Sequence, residues 1–199
     1  MATGHGHIGR DWTSMRRVIA PNDEAYPMWL HINKCGTTTM GHLLRQIPGG
    51  LQSYFHHDYP VHRDVVCMWR DPAERIESTY RMYTQQKVHG WGDQSFDRFV
   101  KWICMNKRLH DPHMQPQYEV ATNKYGRFVP DRVILWEWSE VQELYGIEPE
   151  VHNHTPGEPQ EWTPQLRELF ERRFALDYAL WWKGPMTTEV LDIPNGVSR

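Results

Sequence analysis

The sequence predicts an α/β fold: a single domain with a mostly parallel central sheet flanked by helices. Two observations carry this. Short apolar runs suited to buried strands alternate with longer stretches whose apolar residues recur at helical spacing. The chain has 199 residues, enough for one substantial core and too few for a comfortable second.

The first two dozen residues are polar with scattered Gly and His, and they read as a loosely ordered lead-in over 1–26 ahead of an α/β domain over 27–199. Order is expected to begin near Pro27. MWLHI at 28–32 is a short apolar run suited to a buried strand. In TMGHLLRQI, Met40, Leu43, Leu44 and Ile47 fall at helical spacing, and Pro48-Gly49-Gly50 stops the helix. LQSYFHH reads as a second strand, and DVVCMW at 64–69 as a third, apolar enough to be central. Pro72 sits where a helix can start, and AERIESTYRMYTQQ continues it with Ile76, Tyr80 and Tyr83 in step. SFDRFVKWICMNK is a further helix. RVILWEW supplies a fourth strand after Pro130-Asp131. WSEVQELYG and TPQLRELFERRFALDYALWW are late helices.

Composition removes some partners. A formal charge of −3 argues against coating nucleic acid, which requires an excess of Lys and Arg to displace counterions. No apolar run has bilayer-crossing length, and MATGHGHIGRDW lacks the apolar stretch of a secretory signal, so a soluble, cytoplasmic protein with no membrane partner is expected. Cys35, Cys67 and Cys104 are odd in number and widely separated, which fits reduced thiols. Cys35 follows Lys34 and precedes a helix, a setting that can acidify a thiol, although a small side chain tolerated in a turn is the simpler reading.

Chemistry concentrates in HINKCGTTTMGHLL, residues 31–44. A turn from strand to helix there aims backbone N–H groups at one place, where the helix dipole adds partial positive charge. The result is an anion cradle built from Lys34, Cys35, Gly36, Thr37, Thr38 and Thr39. Gly36 is expected to let the backbone approach a phosphate without a Cβ in the way. Thr37 and Thr38 offer hydroxyls and Lys34 a full charge. A Thr-capped helix after a tight turn would give the same pattern without a ligand. A second stretch, VVCMWRDPAERIESTY, ends a strand on Arg70 and places Ser78 eight residues later on a helix. In a parallel sheet these strand ends share one edge, where such folds bind ligands. Arg70 can fork two donors onto a phosphate, and Ser78 can add a hydroxyl.

Together the two stretches resemble the nucleotide-binding signature of sulfotransferases that use 3′-phosphoadenosine 5′-phosphosulfate. In that family a Pro-Lys-x-Gly-Thr-Thr loop holds the 5′-phosphosulfate, matched here by Lys34, Gly36, Thr37 and Thr38. An Arg at the third strand's end and a Ser eight residues on grip the 3′-phosphate, matched by Arg70 and Ser78. Asn33 stands where the family usually has Pro. LHDPHMQPQ at 109–117 looks like the His-x-x-x-Gln stretch of carbohydrate sulfotransferases. DRVILWEWSEVQELYG looks like their late strand, and FALDYALW like their closing helix. The family's basic Gly-containing C-terminal segment has only a faint echo in Lys183-Gly184. The resemblance implies a P-loop-like sulfotransferase fold, 3′-phosphoadenosine 5′-phosphosulfate as sulfuryl donor, no metal requirement, and a small-molecule acceptor, more specifically a saccharide.

Transfer to a hydroxyl or amine builds negative charge on the leaving bridge oxygen, and Lys34 is the group placed to neutralise it. The acceptor proton needs a base. His56 is favoured, with His57 next and Asp58 as orienting partner, because they follow the second predicted strand and the family places its base there. His113 is the rival. His5, His7, His152 and His154 form His-x-His pairs that read as surface histidines rather than a metal site. Trp136, Trp138, Trp181 and Trp182 suit either core packing or stacking on a sugar or adenine. Two other readings share the loop. A nucleoside-triphosphate kinase would show Gly-x-x-x-x-Gly-Lys-Ser/Thr, absent here, and would require magnesium. A non-catalytic nucleotide or metal-binding module would bind its ligand and be indifferent to His56 and His57. The sequence does not set the oligomeric state.

Overall fold

The computed structural model describes residues 17–55, 62–106, 109, 111–123, 125–150 and 157–183. Its elements are β1 (Arg17–Pro21), β2 (Met28–Leu30), α1 (Thr37–Leu44), β3 (Leu51–Phe55), β4 (Val65–Trp69), α2 (Pro72–Gln86), α3 (Phe96–Met105), α4 (Gln117–Ala121), β5 (Arg132–Leu135), α5 (Trp138–Tyr145), α6 (Pro164–Arg173) and α7 (Ala175–Lys183). A 3-10 turn at Val88–Gly90 links α2 to α3. The expected α/β class holds.

The sheet runs β3-β1-β2-β4-β5 and is mixed, which corrects the mostly parallel arrangement expected. β2, β4 and β5 pair in parallel, whereas β1 lies antiparallel between β2 and β3. RVIAP, inside the supposed lead-in, is therefore a strand. Val18 and Ala20 alternate into the core while Ile19 is only half-buried, a five-residue pattern too short to stand out beside its polar neighbours. Arg63 fixes the turn that follows, donating to the carbonyls of Pro21, Asp23 and Tyr26. β4 lies inside the sheet between β2 and β5, in keeping with VVCMW being apolar at every position and buried throughout.

Helix ends follow local chemistry. The Asp71 carboxylate accepts from the N–H groups of Ala73 and Glu74, with Pro72 in the first turn of α2. Ser95 caps α3 and Thr163 caps α6 in the same manner. The single late helix expected over 163–182 is divided at Phe174, whose ring stacks on Phe170 at 4.2 Å. α4 was not anticipated, because its five residues are too few to show a period.

Two apolar clusters result. One packs α1, α5 and the sheet around Trp29, Met68 and Trp69. The other joins α2, α3 and α6 around Ile76, Phe99 and Phe170. Each fully buried large side chain contributes about 1.5–3 kcal/mol relative to exposure, so the clusters fix how α2 sits against the sheet. Among the described residues, no helix is long and apolar enough to cross a membrane.

Candidate anion site at the strand ends

Because β2, β4 and β5 are parallel neighbours, the loop after β2, Arg70 after β4 and Trp136 after β5 emerge at one edge. β3 pairs antiparallel with β1 and so runs in the same direction as β2. The chain leaves β3 at that edge too, but His56, His57 and Asp58 lie outside the described residues.

The loop turns through two left-handed residues, Lys34 (φ 65°) and Gly36 (φ 72°), and Cys35 N–H closes it on the Ile32 carbonyl at 3.2 Å. α1 starts on Gly36, which has no side chain to cap it. Gly36 also meets a steric demand from within the protein. A Cβ at Gly36 would lie 2.5 Å from Cη2 of Trp138, so the space is filled by an indole. Cys35 points inward and donates to Gln117 Oε1 at 2.9 Å, and burial pushes its thiol up to about 11, opposite to an acidified thiol. Thr39 is buried, Thr37 half-buried and Thr38 exposed.

Positive charge gathers beside this loop. The Arg70 guanidinium lies over the Trp136 ring, 4.6 Å from its centroid, with Nε 3.5 Å from Glu74. Ser78 is buried at 5% exposure one turn before Met82, whose sulfur is 3.8 Å from Lys34 Nζ. Lys34 is brought down to about 8 by burial first, then by the charges of Arg70, Arg81 and Arg75. Four cations thus share one region. Glu74 and Glu77 offset Arg70 and Arg81 only in part, the latter at 3.3 Å. Such a cluster favours an anion.

Sequence reasoning missed the frame that holds these parts. Arg75 is fully buried and donates to three carbonyls, from Nε to Asn33 (2.9 Å), Nη1 to Gln115 (2.8 Å) and Nη2 to Pro112 (2.8 Å). It staples the loop to the 111–117 segment. Gln117 ties both halves of the site together: Oε1 accepts from Cys35 and from Arg70 N–H (3.1 Å), while Nε2 donates to the Arg70 carbonyl (2.8 Å). The Asp177 carboxylate accepts from Gln117 N–H (2.7 Å) and Tyr118 N–H (2.9 Å), and burial raises it to about 6. One signal was visible in the sequence, an arginine at position 75 on the apolar side of α2 beside Ile76, Thr79 and Tyr83.

His113 lies against the loop, with Asn33 Nδ2 3.2 Å from each of its ring nitrogens. Trp136 and Trp138 meet edge to face at 5.9 Å beside Arg70 and Gly36. Trp181 packs on the sheet cluster, and Trp182 stacks on Tyr178 at 5.1 Å while remaining exposed. His5, His7, His152, His154 and Gly184 lie outside the described residues. Among the described residues, no group of three or more His, Cys, Asp or Glu is arranged to hold a metal ion.

Compared with models of known families, with curated proteins and with solved structures, the chain finds no match in any of the three.

Proposed function

We propose that the chain is a sulfotransferase that moves a sulfuryl group from 3′-phosphoadenosine 5′-phosphosulfate to a hydroxyl or amine of a saccharide. The observation that carries this reading is the gathering of Lys34 with Arg70, Arg75 and Arg81 where β2 and β4 end, framed by Gln117, with Ser78 on α2 one turn before the Met82 that Lys34 reaches. Thr37, Thr38 and the N–H groups opening α1 hold the 5′-phosphosulfate, while Arg70 and Ser78 take the 3′-phosphate. Trp136 braces the Arg70 guanidinium and presents an aromatic face beside it.

Lys34 supplies the charge that offsets the leaving bridge oxygen. A pKa near 8 keeps it mostly protonated at neutral pH, and its partly desolvated setting strengthens its field. Its charge meets the need that a divalent metal serves in nucleotide kinases. His56 and His57, with Asp58, are the sequence's candidates for accepting the proton.

The test is transfer of radiolabelled sulfate from the donor to a panel of neutral and amino sugars and their oligomers, without metal. Wild type should label at least one acceptor, and Lys34→Ala should lose about 10²–10³-fold in rate. Undiminished transfer by Lys34→Ala would remove the reading.

A further inference from the structure

Beside the loop lies a titratable cluster with no part in holding the nucleotide. Asp111 Oδ1 accepts from both the backbone N–H (2.9 Å) and Nδ1 (2.8 Å) of His113, and Tyr83 Oη donates to Asp111 Oδ2. Burial opposes ionisation of Asp111, but the hydrogen bonds from His113 and Tyr83 outweigh it and hold the carboxyl below its ordinary range. An ionised Asp111 places the imidazole proton on Nδ1 and leaves the lone pair on Nε2.

Asn33 does not occupy that lone pair. Its Nδ2 is 3.2 Å from both ring nitrogens. In the ring plane, a point equidistant from both at that range would collide with a ring carbon, so the amide lies over the face of the imidazole. The in-plane direction from Nε2 is therefore not taken by Asn33. The ring is 22% exposed and Asp111 15%, so the pair is shielded but open on one side.

The cluster sits where the chemistry would need it. The His113 carbonyl accepts from Thr79 Oγ1 at 3.1 Å, and its ring is 6.0 Å from that of Tyr83. Lys34 Nζ reaches Met82 on the same turn of α2. Lys34 and His113 thus flank residues 79–83, with Asn33 joining them covalently on one side and through its amide on the other.

Resting on the sulfotransferase reading, we infer that His113, oriented by Asp111, is the base that takes the acceptor's proton. The acceptor O–H proton passes to Nε2. The acceptor oxygen bonds to sulfur as the bond from sulfur to the bridge oxygen breaks, and that electron pair stays on the phosphate beside Lys34. The imidazolium that forms is paired with Asp111, as in other histidine bases oriented by a carboxylate.

The experiment uses the full chain and water as the acceptor, following release of 3′-phosphoadenosine 5′-phosphate from the donor between pH 5.5 and 9. Asp111, Tyr83 and Arg75 face the His113 segment, and Lys34, brought down to about 8, is expected to govern the alkaline limb of the profile. His113→Ala should lower release about 10²-fold or more, with free imidazole restoring part of the rate. Asp111→Asn should lower it about tenfold. Affinity for 3′-phosphoadenosine 5′-phosphate, measured by calorimetry, should stay within twofold in both variants, which shows that each folds. An unchanged rate in His113→Ala, or no rescue by imidazole alongside loss in His56→Ala, would overturn the assignment while leaving the nucleotide site standing. A wild type that does not bind the bisphosphate would overturn both.

Discussion

Gly36 meets two demands at once. It has a left-handed φ of 72°, and Trp138 stands where a Cβ would go. Gly36→Ala should lower stability by about 1–3 kcal/mol by denaturant titration, because both the backbone and a half-buried indole must shift. Trp138→Ala should relieve the second demand, so the two substitutions together should cost less than their sum. Lys34 carries a different signature. It titrates near 8 in the folded chain and near 10.5 when unfolded, so the unfolded state holds more protons between those values. Stability should therefore rise with pH across that window, and Lys34→Met should flatten the slope and raise neutral-pH stability by on the order of 1–2 kcal/mol after solvent screening. A bound anion raises the lysine's pKa again. Binding of 3′-phosphoadenosine 5′-phosphate at pH 8–9 should take up a proton, seen as a buffer-dependent calorimetric enthalpy, and affinity should fall as pH rises past about 8.

At the level of elements, α2 is the platform and the 111–117 segment the clamp. Arg75 is buried in α2 with three carbonyls as partners, so Arg75→Met should cost about 2–4 kcal/mol by leaving them unpaired and freeing the loop. Gln117→Leu should be milder in stability yet weaken bisphosphate binding about tenfold, because its amide links Cys35 to the Arg70 backbone without facing the ligand. A Gln117→Leu protein with wild-type affinity would show that the two halves hold their places independently. Much at this scale was legible in the sequence. Asp71-Pro72 starts α2, and Ser95 and Thr163 start α3 and α6, since capping is a local matter of side-chain oxygens and N–H groups. Arg75, Gln117 and Asp177 were not, because their partners lie about 40 to 108 residues distant in the chain and no local pattern announces a carbonyl across that gap.

For the whole molecule, sheet direction decides what meets at the edge. Three parallel strands bring Lys34, Arg70 and Trp136 together, and that convergence could be inferred from alternating strands and helices. The antiparallel β1 could not, since Val18 and Ala20 are its only fully buried apolar residues ahead of Pro21 and such a strand acquires meaning only from its neighbours on both sides. Its insertion separates β3 from β2 by a full strand. The central claim remains that the loop, Arg70 and Ser78 form one site for a nucleoside bisphosphate. Its most direct measurement is calorimetric titration of 3′-phosphoadenosine 5′-phosphate without metal, beside ATP with magnesium, into wild type, Lys34→Ala and Arg70→Ala. Metal-free binding of the bisphosphate that weakens at least tenfold in both variants is the expected result; no binding, or preference for magnesium-ATP, would contradict it.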